Sequence, residues 1–225
     1  PIETIKTILN TIEEYKPSRG DGSTITIMLM VDNPPPGIRI WWIGDSSCRV
    51  YNNGIEIWRS TDHNSESERE KAMIKNKKIR EEKAWDLSVM DDTTMTMKIS
   101  SYFHFGDYID NGIIKEEKIN MTRALGHGGS CNQEEETHFI PFDKALSPSL
   151  WRVVMGSDGL WDMICNQDTP FISAESTSAN DLSDFVIRRW TQKWKYVCPG
   201  NKTVVLDKTI PSRDDVAVTI FQNII

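Results

Sequence analysis

Short β-prone runs separated by tight turns fill residues 23–59, and they constrain the fold more than any other feature of the sequence. The runs STITIMLMV, IRIWWIGD and RVYNNGIEIW are rich in Thr, Ile, Val and Trp, with the turn NPPPG between the first two and NNG within the last. Such runs and turns are typical of consecutive hairpins. Because hairpin strands pair antiparallel, we expect an antiparallel sheet in this part of the chain.

Helical and strand patterns follow one another along the rest of the chain. Three segments have the apolar spacing or the charge pattern of helices: residues 2–15, 64–84 and 181–194. Further strands are predicted in three places: residues 87–118, 151–156 and 216–221. We expect Ser65 or Ser67 to cap the charged helix, Asp181 to cap the last helix, and residues 127–138 to form a loop. This order of elements predicts an α+β fold in which sheets and helices form a sandwich.

Composition and charge exclude several classes of protein. A chain of 225 residues fits one domain, and its 26 basic against 33 acidic side chains give a formal charge of −7, without the basic face of a nucleic-acid binder. The apolar runs are far shorter than the ~20 residues of a membrane helix, and no secretion signal is readable. We therefore expect an intracellular, cytoplasmic protein that binds neither nucleic acid nor membrane. Its four separated cysteines are expected to be reduced, with two disulfides as the alternative.

Aspartates lie at the ends of three predicted strands. Asp45 follows IRIWWIG, Asp158 follows WRVVMGS, and Asp214 precedes VAVTIF. If the last strand runs antiparallel to the other two in one sheet, these carboxylates meet at one edge, and Asp162, four residues after Asp158, can join them. Clustered carboxylates need a countercharge, and Mg²⁺ and Mn²⁺ prefer oxygen ligands. Aspartates at strand ends often only form turns, so position alone leaves both interpretations open.

Six strings around these aspartates carry a family resemblance. In chain order they are GSTITI (22–27), WWIGDSSCRVY (41–51), STDHN (60–64), NMTRALGH (120–127), VVMGSDGLWDMI (153–164) and SRDDVAVTIF (212–221). Together they resemble the metal-dependent serine/threonine protein phosphatases of type 2C, over roughly residues 2–222. The resemblance implies a four-layer α-β-β-α sandwich of two antiparallel sheets flanked by helices. It also implies a phosphoprotein substrate, whose phosphoserine or phosphothreonine is hydrolysed by a metal-activated water.

The resemblance also implies a role for each aspartate. Asp158 matches the metal ligand of the S-D-G-x-W-D motif, and Asp214 matches the ligand of the D-N motif. Asp45 matches the G-D-S aspartate, which helps to hold an additional, more labile ion, and Asp162 supports that extra site. A complete site would hold two or three Mg²⁺ or Mn²⁺ ions.

The sequence departs from the family pattern in several places. It contains no D-G-H-G-G motif, which in the family supplies a metal-bridging aspartate and a histidine. The GHGG string at 126–129 stands at the R-A-L-G-D position, where His127 replaces the final aspartate, and Asp215 replaces the asparagine of D-N. The segment between STDHN and NMTRALGH is longer than usual and predicts a charged helical and β-hairpin insertion at about residues 64–119.

Three interpretations of the missing motif remain open. Residues 1–225 form the C-terminal portion of a type 2C phosphatase domain, an N-terminally incomplete sandwich whose first motif lies elsewhere in a longer chain or in a companion segment. Alternatively, the chain is a catalytically inactive pseudophosphatase that serves as a binding or structural module, or it is another metal-dependent phosphoesterase. We expect the chain alone to be inactive or severely impaired. His63 is expected to make a structural turn hydrogen bond, and Arg123 to be mainly structural, with a phosphate contact as its alternative.

Overall fold

The computed structural model describes residues 22–75, 79–110, 112–126, 131, 134–142, 148–198, 202–210 and 214–224, together with Thr7 and Thr11. The helix predicted over residues 2–15 lies outside the described residues except at Thr7 and Thr11. Both of these are helical, and the Thr11 hydroxyl donates a hydrogen bond of 2.8 Å to the Thr7 carbonyl.

Strands outnumber helices in the described part of the chain. The strands are β1 (Gly22–Ser23), β2 (Ile25–Val31), β3 (Gly37–Ile43), β4 (Ser47–Asn52), β5 (Ile55–Arg59), β6 (Arg80–Val89), β7 (Thr94–Asp110), β8 (Ile113–Ile119), β9 (Leu125–Gly126), β10 (Glu136–Pro141), β11 (Leu150–Gly156), β12 (Trp194–Cys198), β13 (Lys202–Lys208) and β14 (Val218–Ile224). The helices are α1 (Glu68–Lys75), α2 (Asp158–Trp161), α3 (Thr169–Ser173) and α4 (Ala179–Thr191), with a 3₁₀ turn at Asn166–Asp168.

Two antiparallel sheets pack face to face at the centre of the fold. One has the strand order β10-β3-β2 and the other β14-β11-β4-β5. Successive strand residues point to opposite faces of a sheet, so Val153 faces the other sheet while Val154 faces away from it. The buried residues between the sheets are Ile38, Ile40, Trp42, Cys48, Val50, Ile140, Trp151 and Val153. The predicted antiparallel hairpins of residues 23–59 are therefore confirmed.

Helix α4 packs against the outer face of the four-stranded sheet. The core on this side contains Tyr51, Val154, Leu160, Ile172, Leu182, Val186, Trp190 and Trp194. The predicted cap was wrong by one turn. Ser178 is the N-cap, its hydroxyl accepts a bond from the Asp181 amide at 3.1 Å, and Asp181 completes the capping box from within the helix. The helix also ends earlier than predicted: Trp194 opens β12, and its ring N–H donates to the Arg189 carbonyl at 2.9 Å. These layers confirm an α+β sandwich of antiparallel sheets.

The charged segment between β5 and β9 forms one short helix and three long strands. Within the helix predicted over residues 64–84, the described residues are helical at Glu68–Lys75, after Ser67, whose carbonyl accepts a bond from the Lys71 amide at 2.9 Å. Residues 80–89 are strand β6 instead. Their pairing with β7 is continuous from Arg80 to Val89, and such cross-strand contacts outweigh the helix propensity of the run REEKA.

A further sheet, with one parallel pair of strands, joins this charged segment to the end of α4. Its order is β13-β12-β7-β6, with β8 paired to β7, and β12 runs parallel to β7. Arg189 of α4 binds Asp168 at 2.6 Å and also contacts Asp92, in the turn between β6 and β7. Gln192 donates to the Asp92 carbonyl at 2.8 Å. The turn is thus held against the sandwich by both side-chain and main-chain contacts.

Three smaller predictions have mixed outcomes. The predicted strands at 151–156 and 216–221 correspond to β11 and β14. The loop predicted over 127–138 was wrong from residue 136 onward, where β10 begins, and most of the remainder lies outside the described residues. Cys48, Cys131 and Cys165 are free thiols. Within the described residues, no helix has the length and apolar character needed to span a membrane.

Candidate metal centre

A cavity of about 470 Å³ lies between the edge of the four-stranded sheet and strands β6 and β7. Among the residues that the structure describes, seven carboxylates and one lysine, Lys98, line it, and no arginine does. The carboxylates are Asp45, Asp62, Glu66, Asp86, Asp158, Asp162 and Asp214. The four aspartates that the sequence singled out therefore line one shared space.

Asp45 is positioned by a tight turn between β3 and β4. It is 8% exposed and follows Gly44, whose φ of 99° lies in the left-handed region. A Cβ atom on Gly44 would also stand 2.2 Å from Cγ2 of Thr24, so a larger residue does not fit there. Ser47, two residues after Asp45, pairs with Gly156 at the end of β11. This pairing brings the turn to the same sheet edge as the end of β11.

The predicted route to this convergence was wrong in one respect. The strand IRIWWIG, which is β3, lies in the three-stranded sheet and not beside β11 and β14. Instead β4, which follows Asp45, pairs with β11, and β11 pairs with β14, both antiparallel. The start of β4, the end of β11 and the start of β14 therefore meet at one edge.

Helix α2 presents two of the aspartates. Asp158 is its first residue, and Asp162 caps its end, with the Asp162 amide donating to the Asp158 carbonyl at 2.8 Å. The ring N–H of Trp161 lies 3.0 Å from the Ser47 carbonyl and 3.1 Å from the Gly156 carbonyl. The short helix is thus fastened to both β4 and β11, and the predicted spacing of one helical turn between the two carboxylates is found.

The segment that carries Asp214 lies directly against α2. The Ser157 hydroxyl donates to the Asp215 carbonyl at 2.8 Å and accepts a bond from the Ala217 amide at 3.1 Å. A Cβ atom on Gly159 would stand 2.3 Å from the Asp215 carbonyl oxygen and 3.2 Å from Cβ of Asp214. Only glycine therefore allows this approach. Only the aspartate of the S-D-G string was predicted to have a role. The structural roles of its serine and glycine were missed.

Mutual repulsion and burial raise the pKa values of these carboxyls. For Asp45, burial first and then the charges of Asp158 and Asp62 raise the pKa to about 7. For Asp162, although the residue is exposed at the cavity, desolvation by the surrounding protein first and then the charges of Asp158 and Asp86 raise the pKa to about 7. Burial and the charge of Asp214 also raise the pKa of Asp158. The cavity therefore resists full ionisation unless cations enter it.

Sequence reasoning missed three acidic groups and one lysine of the cavity. Asp62 belongs to the quoted STDHN string, and the Ser47 hydroxyl donates to its carboxylate, so this residue could have been found from the motif. Asp86 and Lys98 come from β6 and β7, where their nitrogen and oxygen atoms lie 3.7 Å apart, and Lys98 also binds Glu66. No motif indicates that β6 and β7 form a wall of the cavity, because this wall depends on long-range pairing of strands.

A second acidic cluster lies at the side of the three-stranded sheet. His63, Glu70 and Glu136 offer ligand atoms within 4.8 Å of one another, the one such group among the residues that the structure describes. Arg123 occupies the centre of this cluster, with Nη2 2.6 Å from Glu70 and 3.3 Å from Glu136. Burial of Glu70 favours its neutral form, but hydrogen bonds from Arg123 and Thr122 hold its pKa below the usual value.

The guanidinium therefore supplies the positive charge that a metal would bring to this cluster. Arg123 is 1% exposed and also donates to the Glu134 carbonyl at 3.0 Å. Its role is structural, as expected, and it is too buried to contact a substrate phosphate. We interpret the cluster as a buried ion-pair network.

The fold and the cavity together define a sandwich with a carboxylate-lined site at one sheet edge. A model of the protein phosphatase 2C family matches residues 4–193. The chain therefore belongs to the protein phosphatase 2C family, in agreement with the resemblance of its motifs.

Two known proteins illustrate this similarity. The probable protein phosphatase 2C 56 of Oryza sativa subsp. japonica is 26% identical over 152 residues, which cover 68% of this chain and 35% of that protein. The chain thus spans about a third of the length of this relative. Among solved structures, that of a C. elegans sex determining protein matches with a TM-score of 0.44 and 20% identity, over 81% of this chain and 36% of that chain.

Proposed function

We propose that this chain forms the metal-binding part of a protein serine/threonine phosphatase that depends on Mg²⁺ or Mn²⁺. The observation that supports the proposal most directly is the convergence of Asp45, Asp158, Asp162 and Asp214 on one cavity. The family assignment makes protein phosphoserine and phosphothreonine the expected substrates.

The donor set of the cavity fits hard divalent cations. The described residues that line it offer carboxylate groups, and no histidine or cysteine is among them. Asp158 and Asp214 would hold the two principal ions, and Asp45 and Asp162 an additional one. Such ions, when bound, polarise the phosphoryl oxygens and lower the pKa of the attacking water.

The residues of the chain prepare the cavity for cations in two ways. Ser157 and Gly159 hold the segment of Asp214 against α2, so the backbones that carry Asp158 and Asp214 lie close together before any ion arrives. Asp45 and Asp162, whose pKa values stand near 7, release protons when cations bind. A phosphate ester is an anion, and seven carboxylates repel it, so the cavity admits substrate only after cations have entered.

The 225 residues contain no D-G-x-G-G string, and this shapes the expected activity. We propose that the chain alone binds cations but hydrolyses phosphopeptides slowly, because an aspartate that bridges the ions in relatives is missing from it. A companion segment carrying the motif would complete the site. The same missing motif supports a second candidate, a pseudophosphatase that binds its phosphoprotein without cleaving it.

Cation binding and hydrolysis by matched variants test the proposal. Calorimetry should show Mn²⁺ binding by the wild-type chain and a loss of affinity of at least about tenfold in Asp158→Ala. Asp32→Ala, which removes an exposed turn carboxylate outside the cavity, should bind Mn²⁺ like the wild type. Hydrolysis of a phosphothreonine peptide is then measured with Mn²⁺ in all three. Mn²⁺ binding without hydrolysis even after a D-G-x-G-G segment is added would favour the pseudophosphatase. Equal Mn²⁺ affinity in wild type and Asp158→Ala would overturn the metal-dependent phosphatase.

A further inference from the structure

His63 lies between the turn that carries Asp45 and the buried Arg123 network. Its side chain is 1% exposed. Its carbonyl accepts a bond of 2.7 Å from the Thr122 amide, which anchors its backbone to the segment before β9. The Trp42 ring is nearly parallel to the imidazole, with ring centroids 6.0 Å apart. The position of His63 is therefore fixed by several contacts, and His63 can in turn restrict the position of a neighbouring residue.

Two hydrogen bonds join His63 to Gly44. The His63 amide donates to the Gly44 carbonyl at 3.0 Å, and the Gly44 amide donates to Nδ1 of the imidazole, also at 3.0 Å. The first bond fixes the peptide plane between Gly44 and Asp45, and the second fixes the plane before Gly44. With both planes fixed, the position of the Asp45 Cα atom, from which the side chain leaves the backbone, is fixed as well.

Glycine makes this clamp necessary. Residue 44 has a left-handed backbone conformation. Because glycine has no side chain to restrict its backbone, it could adopt many other conformations as well. The contact with Thr24 forbids a larger residue there, so the turn cannot be stiffened by a side chain of its own. The restriction has to come from a partner, and His63 supplies it.

The protonation of His63 agrees with this arrangement. Burial first, and then the nearby charge of Arg123, lower its pKa, although Glu70 and Glu136 act in the opposite direction. The ring is therefore neutral at pH 7. Because Nδ1 accepts the Gly44 amide, the proton resides on Nε2. Nε2 is buried without a hydrogen bond to the described residues and lies 3.8 Å from Glu136, whereas Nδ1 accepts the Gly44 amide at 3.0 Å.

We infer that His63 is a positioning residue for Asp45: its amide and its Nδ1 atom clamp Gly44 and so aim the Asp45 carboxylate into the cavity. This inference rests on the proposed function, since it assigns His63 a part in holding the cation that Asp45 binds. A residue that acts only on fold stability would not affect cation affinity through Asp45 in particular. The two roles can therefore be separated by experiment.

The test compares two amide side chains in place of the imidazole. His63→Asn keeps an acceptor near the position of Nδ1, whereas His63→Gln moves the acceptor towards the position of Nε2. Mn²⁺ affinity is measured by calorimetry on the full 225-residue chain, with thermal unfolding of the metal-free protein alongside. We expect His63→Asn to bind within about threefold of wild type and His63→Gln to bind about tenfold more weakly. His138→Gln, on an exposed histidine that stacks on Trp58, serves as the control and should not change the affinity.

A double-mutant cycle with Asp45→Asn separates positioning from general destabilisation. In the Asp45→Asn background, His63→Gln should cause no further loss of Mn²⁺ affinity, because the carboxylate that it aims is gone. Equal affinity of His63→Asn and His63→Gln, or an undiminished loss in the Asp45→Asn background, would overturn the inference and leave the proposed function intact. If Asp45→Asn itself bound Mn²⁺ like the wild type, Asp45 would not be a ligand, and the inference would fail together with that part of the proposal.

Discussion

Gly159 offers the sharpest test of how the cavity is assembled. Substitution by alanine adds a Cβ atom 2.3 Å from the Asp215 carbonyl oxygen, and an ordinary contact begins near 3.4 Å. Relief of this overlap needs a movement of about 1 Å between α2 and the segment of Asp214. The obstacle is backbone on both sides, so no flexible side chain can absorb the movement.

Two opposing effects on stability are expected from Gly159→Ala. Overpacking of this kind costs about 1–3 kcal/mol, and alanine recovers up to about 1 kcal/mol through its higher helix propensity. The net loss in the free energy of unfolding should therefore be about 1–2 kcal/mol. Cation affinity should suffer more, because a displacement of about 1 Å separates Asp214 from Asp158. Changes in groups that orient metal ligands typically cost about 10–100-fold in metal affinity.

Urea unfolding and Mn²⁺ calorimetry measure the two effects separately. Gly54→Ala is the control, because a Cβ atom on Gly54, whose φ is 81°, would meet among the described residues only the Ser173 hydroxyl, at 3.9 Å. That variant should lose stability through backbone strain and keep its Mn²⁺ affinity. Unchanged Mn²⁺ affinity in Gly159→Ala would refute the view that close approach of these two backbones assembles the site.

Two further predictions concern the charge of the cavity. The raised pKa values of Asp45 and Asp162, about 7 in the folded chain, stabilise the metal-free protein below about pH 4, and this stabilisation is lost as the pH rises to about 7. The melting temperature of the metal-free chain should therefore fall over that range by more in wild type than in Asp45→Asn; scanning calorimetry that shows equal falls would contradict this. Lys98→Gln removes the one lysine among the described residues that line the cavity. After solvent screening, this change should tighten Mn²⁺ binding by about 1 kcal/mol, or about fivefold. Lys83→Gln, on the neighbouring strand, is the control and should have no effect. Weaker binding by Lys98→Gln would show that this lysine supports the site.

Local sequence patterns predicted the aspartates that lie at the edge of the sandwich. The wall formed by β6 and β7 depends on long-range strand pairing and was not predicted. The relation of Asp158 to Asp162 is set within one helical turn, so the spacing of the two residues was enough to predict it. The meeting of Asp45 with them depends on which strand pairs with β11, and alternation alone could not distinguish β3 from β4. The predicted aspartates therefore do line one cavity, but the strand that was expected to bring Asp45 there, β3, is not the one that does so.

The other half of the cavity had no local signal. The run REEKA has high helix propensity, and nothing in it indicates the ten-residue pairing of β6 with β7 that brings Asp86 opposite Lys98. The cap of α4 shows the same limit on a smaller scale. Ser178 and Asp181 form a reciprocal pair, and a sequence pattern that starts from the first apolar residue selects the wrong partner.

The cavity is enclosed by two structural units with different origins in the chain. One wall comes from the edge of the sandwich, where Gly44, Gly159 and the strand register leave little freedom for substitution. The facing wall comes from β6 and β7, whose outward residues carry charge. It is tied to the sandwich by Val89 and Met95 in the core and by the Arg189 contact with Asp92. Substitutions at its outward positions can therefore alter the charge of this wall while the wall that carries the aspartates keeps its geometry.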